Sequence, residues 1–559
     1  MLVSLVAAGC STSGGDAVTT AATVAVEVVA QPFEASTEPC SGTFVPHELD
    51  HATLGRGVIT AMSDGTGAGV LLEDLDDDGR VDIVLPNLSG ETSILWNQGD
   101  LIFDRSVPIE GRFRQALAVD VDGDGRRDVL LSTGIGPPIT LRATDGDAAV
   151  DSPVVFERQE FRTRAVSYSM AAGDLDGDGG LRLVTGSYNA ELTQNRDPRV
   201  LTGTDVGIAI HRLAEGPGPD QVATEFLTEQ AQALVTLVVD LDGDGHNDVF
   251  VGNDLGTPDG VWLGGAGGLQ PAAPFDTTTL STMSLDVVDF DNDGDRDVIA
   301  TDMAPMEGSD LDPWQELAAD IEAARIDEVQ EPQNKVQFAA DGGYQDRAVE
   351  LGVDATGWSW SGVAGDLDAD GLLDLYVVNG MQAEAVFPQL TDGALIEANQ
   401  AFRNTGDGLA PVPEWDMGLT AGGRGMAQAD LDGDGDLDVV INNLGSPAVL
   451  MENRLCGGSS LIVDLRWDGV VNRDALGATV TVTDTAGVER SRQILSNRGY
   501  LSSPPTEAHL GLGDADSPVS VRVTWPDGAV STVDDVSTAA HLTLTRSAPP
   551  VHADPEVDS

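Results

Sequence analysis

The sequence predicts an all-β protein: a seven-bladed β-propeller with calcium-binding D-x-D-x-D-G-x-x-D loops, followed by a small β-rich C-terminal domain. Three observations carry this. The nine-residue aspartate pattern occurs seven times, with starts 46 to 77 residues apart. A strand-like apolar run follows it each time. Several repeats then hold a second hairpin signal, such as FRNTGDG from Phe402 or VWLGGAGG from Val261. Self-similarity at such a period marks a repeat architecture. Two hairpins make a four-stranded blade, and radial repetition of blades shortens and protects the sheet edges.

The candidate ligands follow in chain order. They are Asp74, Asp76, Asp78 and Asp82; Asp120, Asp122, Asp124 and Asp128; and Asp174, Asp176 and Asp178. The later repeats add Asp240, Asp242, Asp244 and Asp248, then Asp289, Asp291, Asp293 and Asp297. The last two supply Asp366, Asp368, Asp370 and Asp374, and Asp430, Asp432, Asp434 and Asp438. Side chains at places one, three and five of a tight loop converge on one point, and glycine at place six permits the positive φ that turns the chain back. Place nine returns a fourth carboxylate. An all-oxygen, charge-rich ligand set suits Ca²⁺ better than a transition metal, so about six or seven Ca²⁺ ions are expected. An EF-hand loop starts the same way but needs glutamate at place twelve and flanking helices. Here place twelve is Leu85, Leu131, Thr185, Val251, Ala300, Val377 and Ile441, so strands flank the loops. The third repeat has Arg182 at place nine. Its guanidinium is expected to neutralise that loop, leaving six strong sites; the alternative is an outward-turned Arg182 and a weaker seventh site.

The repeats resemble the FG-GAP or VCBS-type propellers, and more closely the cartilage acidic protein family. That resemblance rests on the loops, on GWSWSGVAGDLDADG from Gly357 and on STMSLDVVDFDNDGDRDVIATDM from Ser281. Beyond the repeats, NRDALGATVTVTDTAG from Asn472, SNRGYLSSPPTEAHLGLGDAD from Ser496 and VRVTWPDGAVSTVDDV from Val521 resemble the ASPIC/UnbV domain, which typically follows such a propeller. The implied organisation is a lipoprotein-type signal over 1–10, a flexible tether over 11–39, the propeller over 40–455, an ASPIC/UnbV-like β domain over 456–546 and a disordered tail over 547–559.

The N-terminal run MLVSLVAAGC ends in small residues and Cys10, which fits lipidation at Cys10; an ordinary secretory signal is the alternative. Cys40 and Cys456 then remain, flanking the repeats. A ring closes where its ends meet, so the two are expected to form a disulfide in an oxidising compartment; two buried thiols are the alternative.

The formal net charge is −64, and Lys335 is the only lysine. Seven Ca²⁺ would still leave about −50, a surface that repels nucleic acid and anionic membrane. No nucleic-acid partner is expected, and membrane contact is expected only through the N-terminal anchor. No catalytic or cofactor-binding constellation emerges: there is no H-E-x-x-H and no G-x-S-x-G. Two stretches read as helical excursions, DPWQELAADIEAARIDE from Asp312 and ALIEANQAF from Ala394. Two functions fit this reading. One is a calcium-stabilised extracellular or cell-surface binding protein that presents propeller loops to a protein or glycan. The other is a secreted or biosynthetic enzyme with its site at the propeller channel or the domain junction.

Overall fold

The computed structural model describes residues 22–34, 39–55, 65–105, 109–144, 154–195, 205–213, 224–304, 329–340, 342–381, 396–514 and 518–547. Cys10, the Asp312 helix reading and the tail from 548 lie outside these residues.

Immediately after each aspartate loop comes a short, wholly apolar or near-apolar strand. Examples are Asp82–Leu85, Asp248–Asn253, Asp374–Asn379 and Asp438–Asn443, all buried along their length. Such a run fits a strand covered on both faces, since one solvated face would require alternation. Each is the second strand of an antiparallel sheet. Among the described residues seven such sheets of four or five strands succeed one another along the chain. Their innermost strands are Leu71–Glu73, Ala116–Val119, Ser169–Gly173, Ala233–Val239, Ser284–Val288, Gly357–Gly365 and Gly423–Ala429. Each lies against the next, and the last lies against the first, so the sheets form a closed ring of blades. All seven aspartate loops join the first to the second strand of a blade and therefore share one face.

The ring is closed by strand exchange. Thr43–Ala52, from the start of the repeat region, supplies the outer strand of the last blade by pairing with Pro447–Arg454. Beside this seam Cys40 and Cys456 are joined by a disulfide, with Cα atoms 5.6 Å apart.

The C-terminal region forms two further sheets. One contains Ser459–Trp467, Glu507–Gly513 and Ala540–Arg546; the other contains Thr479–Thr483, Glu489–Gln493, Val519–Thr524 and Val530–Val536. Alternating Val480, Val482, Val521 and Val523 meet Leu461, Val463, Leu510 and Leu542 between them. The same apolar cluster runs on into Leu117, Met170 and Leu183 of the second and third blades.

Two readings are corrected. Residues 11–39 are not a tether throughout: Glu27–Pro32 pairs antiparallel with Ala540–Arg546 as the edge strand of the C-terminal sheet. The segment VAVEVV is dense in β-branched residues, and its backbone groups find a ready edge 500 residues away in sequence. Of the helix reading from Ala394, the described residues 396–402 hold no helix. Gln400–Asn404 is a strand paired with Asp374–Asn379, because a short apolar run fits both periodicities and the neighbouring strand decides.

Candidate calcium face and filled channel

Each loop is organised around its first aspartate. The amide of the place-six glycine donates to that carboxylate in all seven repeats, at 2.7 to 3.3 Å. Those glycines have φ between +80° and +96°, where a side chain would be strained. The place-nine carboxylate has a second task. In six repeats it accepts the amide of place two and an amide from the end of the third strand. For Asp82 these are Leu75 at 3.1 Å and Asn97 at 2.9 Å; for Asp374, Leu367 at 3.0 Å and Asn404 at 2.9 Å. It therefore pins three strand ends together besides facing the loop. Burial is the first cause that pushes these carboxyls upward, to about 8 at Asp82, about 7 at Asp128, Asp248 and Asp297, and about 9 at Asp374.

The donor set fits a hard cation. In at least five repeats three carboxylates bring one oxygen each to within 4.8 Å of one another, as with Asp74, Asp76 and Asp78, or Asp240, Asp242 and Asp248. Asp76 Oδ1, Asp240 Oδ1 and Asp368 Oδ1 are buried and accept no hydrogen bond from protein. Acceptor oxygens with no donor, gathered at one point, are what an oxygen-seeking ion requires.

The third repeat departs as its sequence does. Arg182 pairs with Asp176, and with no place-nine carboxylate available, the amide of Leu213 donates to the Leu181 carbonyl at 3.1 Å. Arginines also reach loop carboxylates elsewhere, Arg80 to Asp78 and Arg403 to Asp368 and Asp370. Only Arg182 takes the place of a ligand.

The aspartate face is covered by the C-terminal domain, which sequence reasoning missed. Arg473 reaches Asp77 at the first loop (3.6 Å), and Arg127 beside it pairs with Asp474 (3.0 Å). Arg466 to Arg473 wall a cleft at the second loop. Asn472 N donates to Gly179 O at the third (2.9 Å), and Asp240 N donates to Gln493 Oε1 at the fourth (3.1 Å). Ser491 Oγ donates to Asp289 Oδ2 at the fifth (3.1 Å). At the sixth, Gly458 N and Gly513 N donate to the carbonyls of Asp368 and Ala369 (3.1 and 2.8 Å). Ser460 Oγ donates to Gly435 O at the seventh.

From this domain the loop 496–503, SNRGYLSS, enters the ring. Asn497 Nδ2 donates to Thr236 O (2.8 Å), and Ser496 Oγ accepts from Ala172 N (2.9 Å). Gly499 bridges Leu285, Tyr500 N donates to Ser361 Oγ (3.1 Å), and Ser502 Oγ accepts from Val70 N (3.1 Å). Ser503 Oγ donates to Ala116 O (2.9 Å), and Gly425 of the seventh inner strand leaves no room for a Cβ against Ser502 Oγ. The loop thus touches the inner strand of every blade. At its tip the fully buried Tyr500 donates to Thr66 O at 2.8 Å and meets Tyr168 Oη at 3.0 Å. Residues 65–67 lie over it from the opposite end, gripped by Arg114 Nη1 to Thr66 Oγ1 and Gly67 O (2.7 and 3.1 Å) and by Arg424 Nε to Gly65 O (2.8 Å). Arg424, without a carboxylate partner among the described residues, stacks on Trp360 at 4.3 Å. The channel axis is filled from both ends. A Gly-Tyr pair among serines is a faint sequence signal for such a plug.

Fold and face together define a β-propeller whose aspartate-loop face is capped by a C-terminal β domain. FG-GAP-like repeats match residues 74–131, 240–300 and 390–441, and the ASPIC and UnbV family matches 469–550. The chain is similar to cartilage acidic protein 1 of Xenopus tropicalis, 30% identical over 180 residues, which is 30% of this chain and 26% of that protein. It is likewise similar to cartilage acidic protein 1 of Mus musculus, 36% identical over 135 residues, 22% and 18% of the respective chains. The chain thus spans about a quarter or less of the curated relatives it matches. Among solved structures it resembles the BP39L lectin from Burkholderia pseudomallei with a TM-score of 0.39 and 12% identity, over 67% of this chain and 92% of the lectin. It also resembles the exotype rhamnogalacturonan lyase YesX, with a TM-score of 0.36 and 13% identity over 74% and 76% of the two chains.

Proposed function

We propose that this is an extracellular or cell-surface binding protein. Calcium is structural in it, and its partner, a protein or a glycan, is met by the propeller rim opposite the aspartate loops. The coverage of all seven loops by the C-terminal domain carries this reading. Ions under that cover stiffen blades and hold a domain in place, and the loops themselves are not a free recognition surface. Two long connections between blade strands begin at the opposite rim, after Ala304 and after Met381. Long loops on a rigid scaffold are the usual carriers of recognition. Catalysis in the channel, the competing idea, meets an axis occupied by Tyr500 and residues 65–67.

Screening the full chain on protein and glycan arrays tests this, with Ca²⁺ and with EDTA. The expected result is a specific hit that Ca²⁺ strengthens and that substitutions within 382–395 abolish while the melting temperature is unchanged. A hit abolished only by substitutions in the C-terminal domain, with the rim tolerant, overturns the assignment of the rim.

A further inference from the structure

Beneath the plug, between blades five to seven and the C-terminal domain, lies a cavity of about 70 Å³ that takes no part in the reading above. On the measure that one water-sized centre needs about 10–15 Å³, it has room for roughly five such positions, enough for a group of four or five heavy atoms. Its wall is rich in cations for a chain so short of them. Arg296 comes from the loop side of blade five, and Arg492 and Arg498 come from the C-terminal domain.

Among the described residues only one of the three makes an ion pair with a carboxylate. Arg498 Nη2 pairs with Asp286 Oδ2 at 2.5 Å. Arg296 uses Nη1 on Ser491 Oγ (3.0 Å) and Nη2 on Thr479 Oγ1 (3.1 Å), both uncharged. Arg492 donates from Nη1 to Ser491 O at 2.6 Å and makes no ion pair among the described residues. Arg492 sits at the domain junction, is half-buried and borders the cavity. Three further donors among the lining residues, Arg296 Nε, Arg498 Nε and Gln428 Nε2, are buried without a protein acceptor.

The acidic neighbours do not supply the missing charge. Asp366 is held in its own loop by the amides of Gly371 (2.8 Å) and Asp370 (2.9 Å), and Asp289 by Gly294 N and Ser491 Oγ. Burial, then the neighbouring Asp464 and Glu73, pushes the Glu507 carboxyl well above the usual carboxylate range. His509 faces Gly435 O through Nε2 and is kept neutral by burial. Two guanidinium charges and three donors therefore border one small polar space whose own carboxylates are already engaged, Asp286 by Arg498 and Asp366 by its loop amides, so that Arg492 and Arg296 have only the longer-range attraction of Asp366, Asp289 and Asp240. Buried cations are otherwise paired, because desolvation without a counter-charge is costly.

We infer that this cavity binds a small oxyanion, of the sulfate, phosphate or carboxylate class, held between Arg492 and Arg296 with Arg498 and Gln428 as additional donors. The site spans both domains, so neither half carries it alone.

Sulfate is the probe, since phosphate would precipitate calcium. Isothermal titration of the calcium-saturated full chain, at constant ionic strength set with chloride, should show one saturable sulfate site. Arg492→Gln should weaken it by about tenfold or more, the loss of a charge-assisted contact, and Arg492→Lys should weaken it less. If Arg492→Gln does not fold, selenate soaked into crystals of the unaltered protein decides, with anomalous density expected between Arg492 and Arg296. Overturning results are a non-saturating sulfate response that is equal in the unaltered chain and Arg492→Gln, or selenate-soaked crystals with water alone in the cavity.

Discussion

Tyr500→Ala removes the tip of the plug, and the structure sets the size of the effect. The ring is fully buried and packs edge-on to Trp360, with centroids 5.2 Å apart, while its hydroxyl joins Thr66 O and Tyr168 Oη. Truncating a buried aromatic to alanine costs about 3–5 kcal/mol when the site cannot collapse. Collapse is hard here, since seven inner strands fix the walls. Tyr500→Phe keeps the ring and loses only the two hydroxyl contacts, about 1–3 kcal/mol. Thermal unfolding followed by near-ultraviolet dichroism should rank unaltered chain, Tyr500→Phe and Tyr500→Ala in that order. Limited proteolysis should find residues 455–459, between the domains, more open in Tyr500→Ala. If Tyr500→Ala melts with the unaltered protein and resists protease equally, the loop is not a plug that joins the domains.

Calcium removal should act through the same interface. Each ion bound only by the folded state adds about 2.7 kcal/mol at a hundredfold excess over Kd, so EDTA should lower the melting temperature by many degrees, and an unchanged curve would sink the calcium reading. The place-nine carboxyls give this a pH signature. Raised to about 7 to 9 in the folded state, they hold protons that the unfolded chain has released. Metal-free stability should therefore fall as pH rises from about 4 through 9, and calcium should flatten the fall by displacing those protons; identical pH profiles with and without calcium would refute this. Arg182→Asp should bind one Ca²⁺ more than the unaltered chain by metal counting, unless that chain already holds seven. Cys456→Ser should destabilise by less than the roughly 6 kcal/mol ceiling that chain entropy sets for a 416-residue separation, because the pairing of Thr43–Ala52 with Pro447–Arg454 closes the ring independently; a loss at or above that ceiling contradicts this redundancy.

What the sequence made legible is what nine neighbouring residues decide among themselves. Convergence of places one, three and five, the turn at place six and the strand after place nine are local consequences of spacing, so loops, blades and the seam between Cys40 and Cys456 could be read. The second duty of place nine was hidden, because the amide it pins, Asn97 for Asp82, lies a hairpin away. Tyr500 carries no mark of its place either. Its burial depends on seven strands whose sequence distance from it ranges from about 70 to more than 400 residues. Arg296 and Arg492 read as ordinary surface arginines until two domains are laid together. Glu27–Pro32 was concealed by its setting, a small-residue run beside a signal-like terminus that resembles linker composition.

That edge strand has a mechanical consequence. Tension applied to the chain ahead of Thr23 first loads the Thr23–Val530 bridge and then the six paired positions from Glu27↔Thr545 to Pro32↔Ala540. If they yield, the pull passes to Cys40 and crosses by a covalent bond to Cys456. A pull from that side would therefore spend itself first on one sacrificial edge strand and on the Glu34 N contact with Gly433 O of the seventh loop, before it reached the covalent seam.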